Sequence, residues 1–195
     1  IEWLEKHHGW HNVHRDWIIM CPGVVPSLHA AAMAFSEPGE SIIVQPPVYF
    51  PFFSAVTNTG RNLTLNPLVI ENNRYSINFD QLEKYAKKAK ILFLCSPHNP
   101  VGRVWDKEEL ENIIRISREH NLLIFSDEIH ADLVFSENRH QMLAALAEES
   151  ENIITAVTPS KTFNIPGLNL SALIVPNKKR RDLVMKAFET LPISA

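Results

Sequence analysis

The segment DKEELENIIRISREHNLLIFSDEIH, residues 106–130, decides the fold of this 195-residue chain. Its first part repeats apolar residues at intervals of three and four, which predicts an amphipathic helix over Lys107–Glu119. Asp106 can cap this helix, and Glu109, three residues further on, can reach back to form a capping box. An apolar run, Leu122–Ser126, follows after a short turn and predicts a buried strand. A helix that leads directly into a buried strand is typical of an α/β protein.

The same alternation of strands and helices extends in both directions from this segment. Short apolar runs predict seven strands: Trp17–Met20, Ser41–Val44, Asn62–Leu65, Ile91–Cys95, Leu122–Ser126, Ile153–Val157 and Leu170–Val175. Amphipathic segments predict four helices: Pro26–Phe35, Phe79–Ala89, Lys107–Glu119 and Lys178–Phe188. We therefore expect a three-layer α/β/α sandwich around a mixed, mostly parallel central sheet.

Composition and charge narrow the possible function classes. Hydrophobic residues make up 45% of the chain and charged residues 21%, as in ordinary globular domains with a core of their own. A formal net charge of -3 argues against a nucleic-acid partner, and the apolar runs are too short for a membrane span. Two cysteines, Cys21 and Cys95, are too few for a disulfide framework. We therefore expect a cytoplasmic protein without a nucleic-acid or membrane partner.

Both ends of the sequence resemble the interior of a longer protein. The chain opens on Ile1, and its first residues have the pattern of a helix that stops at Gly9. A further helix pattern begins at Lys178 and extends almost to the last residue. We therefore expect residues 1–195 to be an internal piece of a longer protein or an abridged gene product.

Chemistry is expected at the carboxyl ends of the strands, because ligands of open α/β sheets bind there. Five predicted strands end in turns that carry polar residues or glycine: CPGVVPS (21–27), QPPVY (45–49), SPHNPVG (96–102), DEIH (127–130) and TPSKTFN (158–164). Parallel strands would bring these turns to one edge of the sheet.

Taken singly, these residues leave several interpretations open. The turn Gly23–Val25 offers backbone N–H groups at a helix start, which is an anion site, but simple strand–helix turns look the same. Asp127 follows a buried strand and needs a partner, which a helix cap, a structural ion pair or a protonated ring nitrogen would provide. Lys161 is either a solvated surface residue, the commoner case, or a desolvated and reactive amine.

In combination, these segments resemble a known family. SPHNPVGRVW (96–105), SDEIHADLVF (126–135) and TPSKTFNIPGL (158–168) have the order and spacing of the class I and II aminotransferases, fold-type I enzymes that depend on pyridoxal 5′-phosphate (PLP). Four segments resemble more narrowly the cystathionine β-lyase, or carbon–sulfur lyase, branch: PGVVPSL (22–28), QPPVYFPF (45–52), SDEIHADL (126–133) and SKTFNIPGL (160–168). The resemblance covers nearly the whole chain.

The resemblance implies a role for each residue that matches a family motif. Lys161 matches the lysine that holds PLP covalently, Asp127 the carboxylate that pairs with the pyridine nitrogen, and Asn99 the amide on the phenolic oxygen. Tyr49 matches the aromatic residue that stacks on the ring. The phosphate is expected beside Gly23, Val24, Val25, Thr158 and Ser160.

Two positions depart from the commonest aminotransferase pattern. His130, which the resemblance places beside the cofactor, stands where many aminotransferases carry a tyrosine. The lyase branch also has histidine there, so His130 moves the expected reaction from transamination towards β-elimination. Asn169 stands where many carry an arginine for the phosphate, so the helix start and the hydroxyl groups must hold the phosphate with less charge compensation.

We therefore expect a PLP-dependent β-lyase that converts cystathionine or a cysteine-like amino acid to pyruvate, ammonia and a thiol. An aminotransferase is the first alternative, and a non-catalytic regulatory domain with the same fold is the second. The resemblance also implies that residues 1–195 are the large PLP-binding domain of a homodimeric enzyme, truncated at both ends and without a metal. The arginine that holds the substrate carboxylate would lie in the missing small domain, so the isolated chain should be inactive.

Other polar residues receive structural interpretations. Four histidines crowd the first helix and the turn after it: His7, His8, His11 and His14. We expect them on a solvated face rather than around a metal ion. Glu128 should point away from Asp127 if strand alternation continues, and Cys95 should be a small buried hydrophobic residue. His98 is expected to serve the structure of its loop.

Overall fold

The computed structural model describes residues 1–147 and 152–191. Its strands are β1 (Ile18–Cys21), β2 (Ser41–Val44), β3 (Asn62–Leu65), β4 (Val69–Glu71), β5 (Arg74–Ser76), β6 (Ala89–Cys95), β7 (Leu123–Asp127), β8 (Ile153–Val157) and β9 (Ser171–Ile174). Its α-helices are α1 (Glu2–His8), α2 (Val24–Phe35), α3 (Pro51–Thr57), α4 (Phe79–Ala86), α5 (Lys107–His120), α6 (Leu143–Leu146), α7 (Pro159–Thr162) and α8 (Lys178–Thr190).

Seven of these strands form a single sheet in the order β1-β9-β8-β7-β6-β2-β3. Neighbouring strands from β8 to β3 are parallel, whereas β9 runs antiparallel to both β8 and β1. Each of the seven predicted strands lies in this sheet, so the predicted mixed, mostly parallel arrangement is confirmed.

The central strands β6 and β7 are buried on both faces, as their unbroken apolar runs require. Alternate residues of these strands belong to two separate cores. Leu92 and Ile124 face the core that α1, α4, α5 and α6 cover, whereas Phe93 and Phe125 face the core under α2, α3 and α8. The two cores on opposite faces of one sheet confirm the three-layer sandwich.

The helices begin and end where local chemistry predicts. Asp106 caps α5 by accepting the Glu109 N–H at 2.9 Å, and the Glu109 carboxylate accepts the Asp106 N–H at 2.9 Å, so the predicted capping box is confirmed. The helix ends before Asn121, which has a left-handed φ of 51°. Helix α2 starts at Val24, two residues before the predicted start at Pro26. Pro26 lies in the first turn, where proline is tolerated because the N–H groups there have no partner within the helix. None of the described helices is long and apolar enough to cross a bilayer.

Several local features differ from the sequence prediction, among them the short helices α6 and α7, which were not predicted. Helix α4 ends at Ala86 instead of Ala89 because Ala89 already pairs in β6. Helix α3 was not predicted, since its short apolar sequence lacks an amphipathic period. The hairpin of β4 and β5 was also missed, although Asn72 and Asn73, with φ values of 50° and 61°, form the kind of turn that asparagine favours.

Burial of the central strands predicts a large loss of stability when one of their rings is removed. Phe125 is 0% exposed, and its ring centroid lies 5.7 Å from that of Phe93. Phe125→Ala should therefore lower the free energy of unfolding by about 3–5 kcal/mol, because the lost contacts leave a cavity. The matched control is Phe135, which is 81% exposed and should lose less than about 0.5 kcal/mol on the same change. Urea unfolding measures both, and equal losses would contradict this account.

Candidate active site

The turns that follow β6, β7 and β8 meet at one edge of the sheet, as predicted. In the strand register, Cys95 lies opposite Asp127, and Asp127 lies opposite Ala156. Backbone hydrogen bonds continue this pairing past the strand ends, from the Ser96 N–H to the Asp127 carbonyl at 3.0 Å and from the Glu128 N–H to the Ala156 carbonyl at 2.9 Å. The sheet therefore fixes the relative positions of the three turns.

Asp127 is a buried carboxyl group at the centre of this edge. It is 3% exposed and accepts a 3.3 Å hydrogen bond from the N–H of Ile129. Burial raises the pKa of the Asp127 carboxyl to about 7; the Ile129 N–H and the Lys161 ammonium act in the opposite direction, and Glu128 adds to the rise. A carboxyl group in this state gains most from a cationic partner, because an opposite charge favours its ionised form.

Lys161 lies on the four-residue helix α7, in the turn after β8. Lys161 is exposed. The described residues therefore do not form the desolvated environment that one interpretation of the sequence required. The Lys161 ammonium is near enough to influence two of the other predicted site residues, Asp127 and His130. Burial, and then the charge of Lys161, lower the pKa of the His130 imidazole, which favours its neutral form. The structure thus brings Lys161, Asp127 and His130 together.

The predicted phosphate turn lies at the N-terminus of α2. Gly23 has φ 115° and ψ 164°, a conformation that residues with a Cβ rarely adopt, and it caps the 12-residue helix α2. The first N–H groups of a helix have no partner within it, so those of Val24 and Val25 are available at the positive end of α2. Ser27 does not occupy them, because its hydroxyl donates to the Gly23 carbonyl at 2.9 Å.

The two predicted hydroxyl groups lie together at the start of α7. The Thr158 and Ser160 side-chain oxygens are 3.0 Å apart, and the Thr158 oxygen also accepts the Ser160 N–H at 3.1 Å. Thr158 donates to the Leu170 carbonyl at 2.6 Å. Leu170 precedes Ser171, which pairs with Cys21 in β1, so this turn and the Gly23 turn belong to the same edge.

Tyr49 and Asn99 are joined through their backbones. The Tyr49 N–H donates to the Asn99 carbonyl at 3.1 Å, and the Tyr49 side chain is 40% exposed. The two loops are also held by His98, whose Nε2 lies 3.0 Å from the Pro47 carbonyl. Burial lowers the pKa of His98 to about 4, so it is neutral and can donate to that carbonyl. The structural role predicted for His98 is therefore confirmed.

A cavity of about 230 Å³ opens between the turn after β6 and the segment after β7. Asn99 and His130 both line it, together with the side chains of Leu133 and Phe135. Its place beside the predicted site leaves room for a small molecule at the edge of the sheet.

Two polar clusters were not predicted, a buried one around Glu128 and a partly buried one around Asp132. Glu128 accepts hydrogen bonds from Ser126 Oγ at 2.8 Å and the Leu143 N–H at 3.2 Å, and its carboxylate lies 2.7 Å from His140 Nε2. Ser126 and Glu128 share one face of the strand, so the expectation that Glu128 points away from Asp127 is confirmed.

The second cluster lies around Asp132. The prediction of a solvated face is wrong for His8, whose side chain is 7% exposed and whose Nε2 lies 2.7 Å from Asp132 Oδ1. The reason is tertiary, because the segment after β7 packs against α1 and brings an acid to this histidine. Cys95, by contrast, is buried as predicted, and burial raises the pKa of its thiol.

Comparison with known proteins gives a consistent result. The profile of the family described as aminotransferase class I and II matches residues 1–191. The chain is 43% identical over 182 residues to cystathionine beta-lyase PatB of Bacillus subtilis, which covers 92% of this chain and 47% of that protein. The chain thus spans about half the length of the curated relatives it matches.

Solved structures are similar over almost the whole chain. Cystalysin from Treponema denticola, which contains a pyridoxal 5′-phosphate cofactor, superposes with a TM-score of 0.93 at 40% identity, over 95% of this chain and 48% of that one. A PLP-bound putative aminotransferase from Clostridium difficile 630 gives a TM-score of 0.95 at 38% identity, over 100% of this chain and 50% of that one.

The buried carboxyl group predicts a pH-dependent effect of Asp127→Asn on stability. The pKa of Asp127 is about 7 in the folded chain, against an ordinary value of 3.8. Below pH ~4 the carboxyl group is protonated in both the folded and the unfolded chain, so its burial lowers the free energy of unfolding only a little. The cost grows as the pH rises to about 7, up to at most about 4 kcal/mol. The variant without cofactor should therefore be more stable than the parent in urea at pH 8, with a smaller gain at pH 5.

The control for this experiment is Asp16→Asn, because Asp16 is exposed and its charge meets little desolvation. It should show no pH-dependent gain. A gain for Asp127→Asn that is the same at pH 5 and pH 8 would show that the carboxyl group is not buried as described.

Proposed function

This chain belongs to the class I and II aminotransferase family, and from that premise we propose that it is the PLP-binding domain of a carbon–sulfur β-lyase. The whole enzyme would act on cystathionine or a cysteine-like amino acid and release pyruvate, ammonia and a thiol. The observation that carries this proposal is the convergence of Asp127, Lys161 and His130 at one sheet edge, in a chain 43% identical to a cystathionine beta-lyase.

The residues at this edge fit PLP. A protonated pyridine nitrogen would give the buried Asp127 the cation that its raised pKa calls for. The free N–H groups after Gly23 and the hydroxyls of Thr158 and Ser160 suit a phosphate. The exposed ring of Tyr49 offers a flat surface, and its backbone bond to Asn99 sets it beside the amide proposed for the phenolic oxygen.

Bound PLP supplies an electron sink for the negative charge that develops at the substrate Cα when a proton leaves. Asp127 would hold a proton on the ring nitrogen and so keep that sink charged. Lys161 would hold the cofactor, and its amine, when free, would accept the Cα proton as a general base. Burial and the charge of Lys161 both favour the neutral form of the His130 imidazole. His130 lines the same cavity as Asn99.

Transamination is the second candidate function, because the putative aminotransferase from Clostridium difficile is as similar in structure as cystalysin. His130 and the similarity to PatB favour β-elimination. The combination of Lys161, Asp127 and Asn99 argues against a non-catalytic regulatory domain, since a sensor domain does not need a base beside an electron sink.

We also propose that the whole protein is a cytoplasmic homodimer whose remaining segments complete the site. Large apolar side chains near the candidate site are exposed in the described residues, among them Phe50 at 71% and Phe135 at 81%. Exposed apolar surface of this kind beside a site is typical of an interface. The arginine proposed for the substrate carboxylate would come from the small domain.

The first test measures β-elimination in the full-length protein that contains this chain. Cystathionine without any keto acid should yield pyruvate, followed by a coupled lactate dehydrogenase assay, and an equal amount of ammonia, measured separately. Lys161→Ala should remove activity, and Asp127→Asn should lower it at least ~100-fold, because the uncharged ring stabilises the carbanion less. Product that forms only after a keto acid is added would support the aminotransferase instead.

The second test locates the covalent attachment. Borohydride treatment of the full-length, PLP-loaded protein should fix the cofactor on the peptide that contains Lys161, as read by mass spectrometry. Lys161→Arg, which keeps the positive charge but cannot be reduced onto PLP, is the matched control and should remain unlabelled. Labelling of a different lysine in the parent protein would contradict the proposed role of Lys161.

A further inference from the structure

Asp132 joins three segments that are distant in the sequence. Its Oδ2 accepts a hydrogen bond from Thr162 Oγ1 at 2.6 Å, and its Oδ1 lies 2.7 Å from Nε2 of His8. Trp3 Nε1 donates to both oxygens, at 3.1 and 3.2 Å. One carboxylate therefore connects α1, the segment after β7 and α7, and its partner Thr162 directly follows Lys161.

Helix α7 has little else to hold it in place. It is four residues long, contains no buried residue, and a helix of that length is not stable by itself. The Thr158 side chain bonds to the Leu170 carbonyl, which belongs to the same surface loop. Among the described side chains of α7, Thr162 is the one that reaches a different part of the fold by a hydrogen bond.

Helix α7 borders a cavity that α1 also lines. A cavity of about 330 Å³ lies against this helix, and Pro159 and Phe163 are part of its lining. Trp3 and Asp132 line the same cavity, and the Trp3 ring meets Phe163 edge-on at 5.4 Å. The hydrogen bond from Thr162 to Asp132 is thus a directional contact that sets the position of α7 beside this cavity.

Asp132 is well suited to this task because its own position is fixed. Burial raises the pKa of its carboxyl, but the hydrogen bonds from Thr162, Trp3 and His8 together lower it below the ordinary value, so the group is ionised at neutral pH. Hydrogen bonds to an ionised acceptor are the stronger kind.

The cluster continues from His8 to the segment that carries Asp127. The His8 ring lies 6.0 Å from the ring of His140, which pairs with the buried Glu128 at 2.7 Å. Glu128 immediately follows Asp127 in the chain. The polar cluster therefore involves the side chains of the residues that follow Lys161 and Asp127, Thr162 directly and Glu128 through His140.

We propose that Asp132 is a positioning residue for Lys161, which it fixes through the Thr162 hydroxyl against the scaffold formed by Trp3 and His8. The inference rests on the proposed function in one respect, namely that Lys161 carries the cofactor. Asp132 itself need not touch cofactor or substrate. Its effect is on orientation, which contributes strongly to rate when reacting groups must be held at a fixed distance.

The test uses the full-length enzyme and the nearly isosteric change Thr162→Val, which removes the donor and keeps the shape of the side chain. Its PLP dissociation constant should rise and its kcat should fall, each by about 10- to 100-fold, which is the range expected for losing one charge-assisted hydrogen bond. Thr162→Ser keeps the hydroxyl and should restore both values to within about threefold. Thr190→Val, at an exposed hydroxyl bonded within α8, is the matched control and should change neither.

A double-mutant cycle separates positioning from general destabilisation. Asp132→Ala should weaken PLP binding at least as much as Thr162→Val, and the double variant should be no worse than Asp132→Ala, because the two residues act through one bond. PLP affinity is followed by absorbance titration, and stability by urea unfolding of the cofactor-free proteins.

Three results would overturn the inference while leaving the proposed function intact. One is a Thr162→Val variant with parental PLP affinity and kcat, and another is strictly additive losses in the cycle. A Thr162→Val variant that only unfolds more easily, with unchanged affinity, would likewise show a structural role and not a positioning one. Parent protein that binds no PLP at all would instead refute the proposed function, together with the inference that rests on it.

Discussion

The burial of one carboxyl group at the end of a central strand is the constraint on which the candidate site depends. Strand β7 is buried along its whole length because parallel strands lie on both of its sides and a core covers each face. Asp127, its last residue, inherits that environment, and a charge there is costly until a cation arrives. The turns around Asp127 place Lys161, Asn99 and the start of α2 at the same edge, because the strands that precede these turns all end there.

Because side chains alternate along a strand, the adjacent acids Asp127 and Glu128 lie on opposite faces of the sheet. Asp127 lies on the face that carries Phe125, whereas Glu128 lies on the face of Ser126 and is enclosed by His140 and the Leu143 N–H. The fully satisfied Glu128 stabilises the chain where it leaves the sheet, since a buried polar group with all its partners rigidifies its surroundings. Asp127 accepts one hydrogen bond, from the Ile129 N–H, and is the carboxyl group proposed to pair with the cofactor. The two acids at the end of β7 thus have different roles: Glu128 stabilises the structure, and Asp127 is the proposed partner of the cofactor.

The sequence predicted the sheet well because burial leaves a local pattern. All seven strands of the sheet and the capping box at Asp106 could be recognised from neighbouring residues. The solvated position expected for His8 was wrong and the Asp132 cluster was missed for a different reason, since Trp3 and Asp132 are 129 positions apart and no short window contains both. A third acid at Asp132, so soon after Asp127 and Glu128, was the one available signal. For Lys161 the sequence left two alternatives open, and its exposure in the described residues agrees with the commoner one, a solvated lysine.

The loop from Phe163 to Leu170 connects the proposed site to the lifetime of the protein in the cell. Its residues are largely exposed, with Phe163 at 54% and Leu168 at 67%, and exposed loops are where proteases cut first. A cofactor attached at Lys161 and held by Thr158 and Ser160 would tie down the start of this loop and stabilise the folded state by mass action. Cofactor binding would then slow proteolytic cleavage within this loop, so its rate of cleavage would report how much of the protein is loaded.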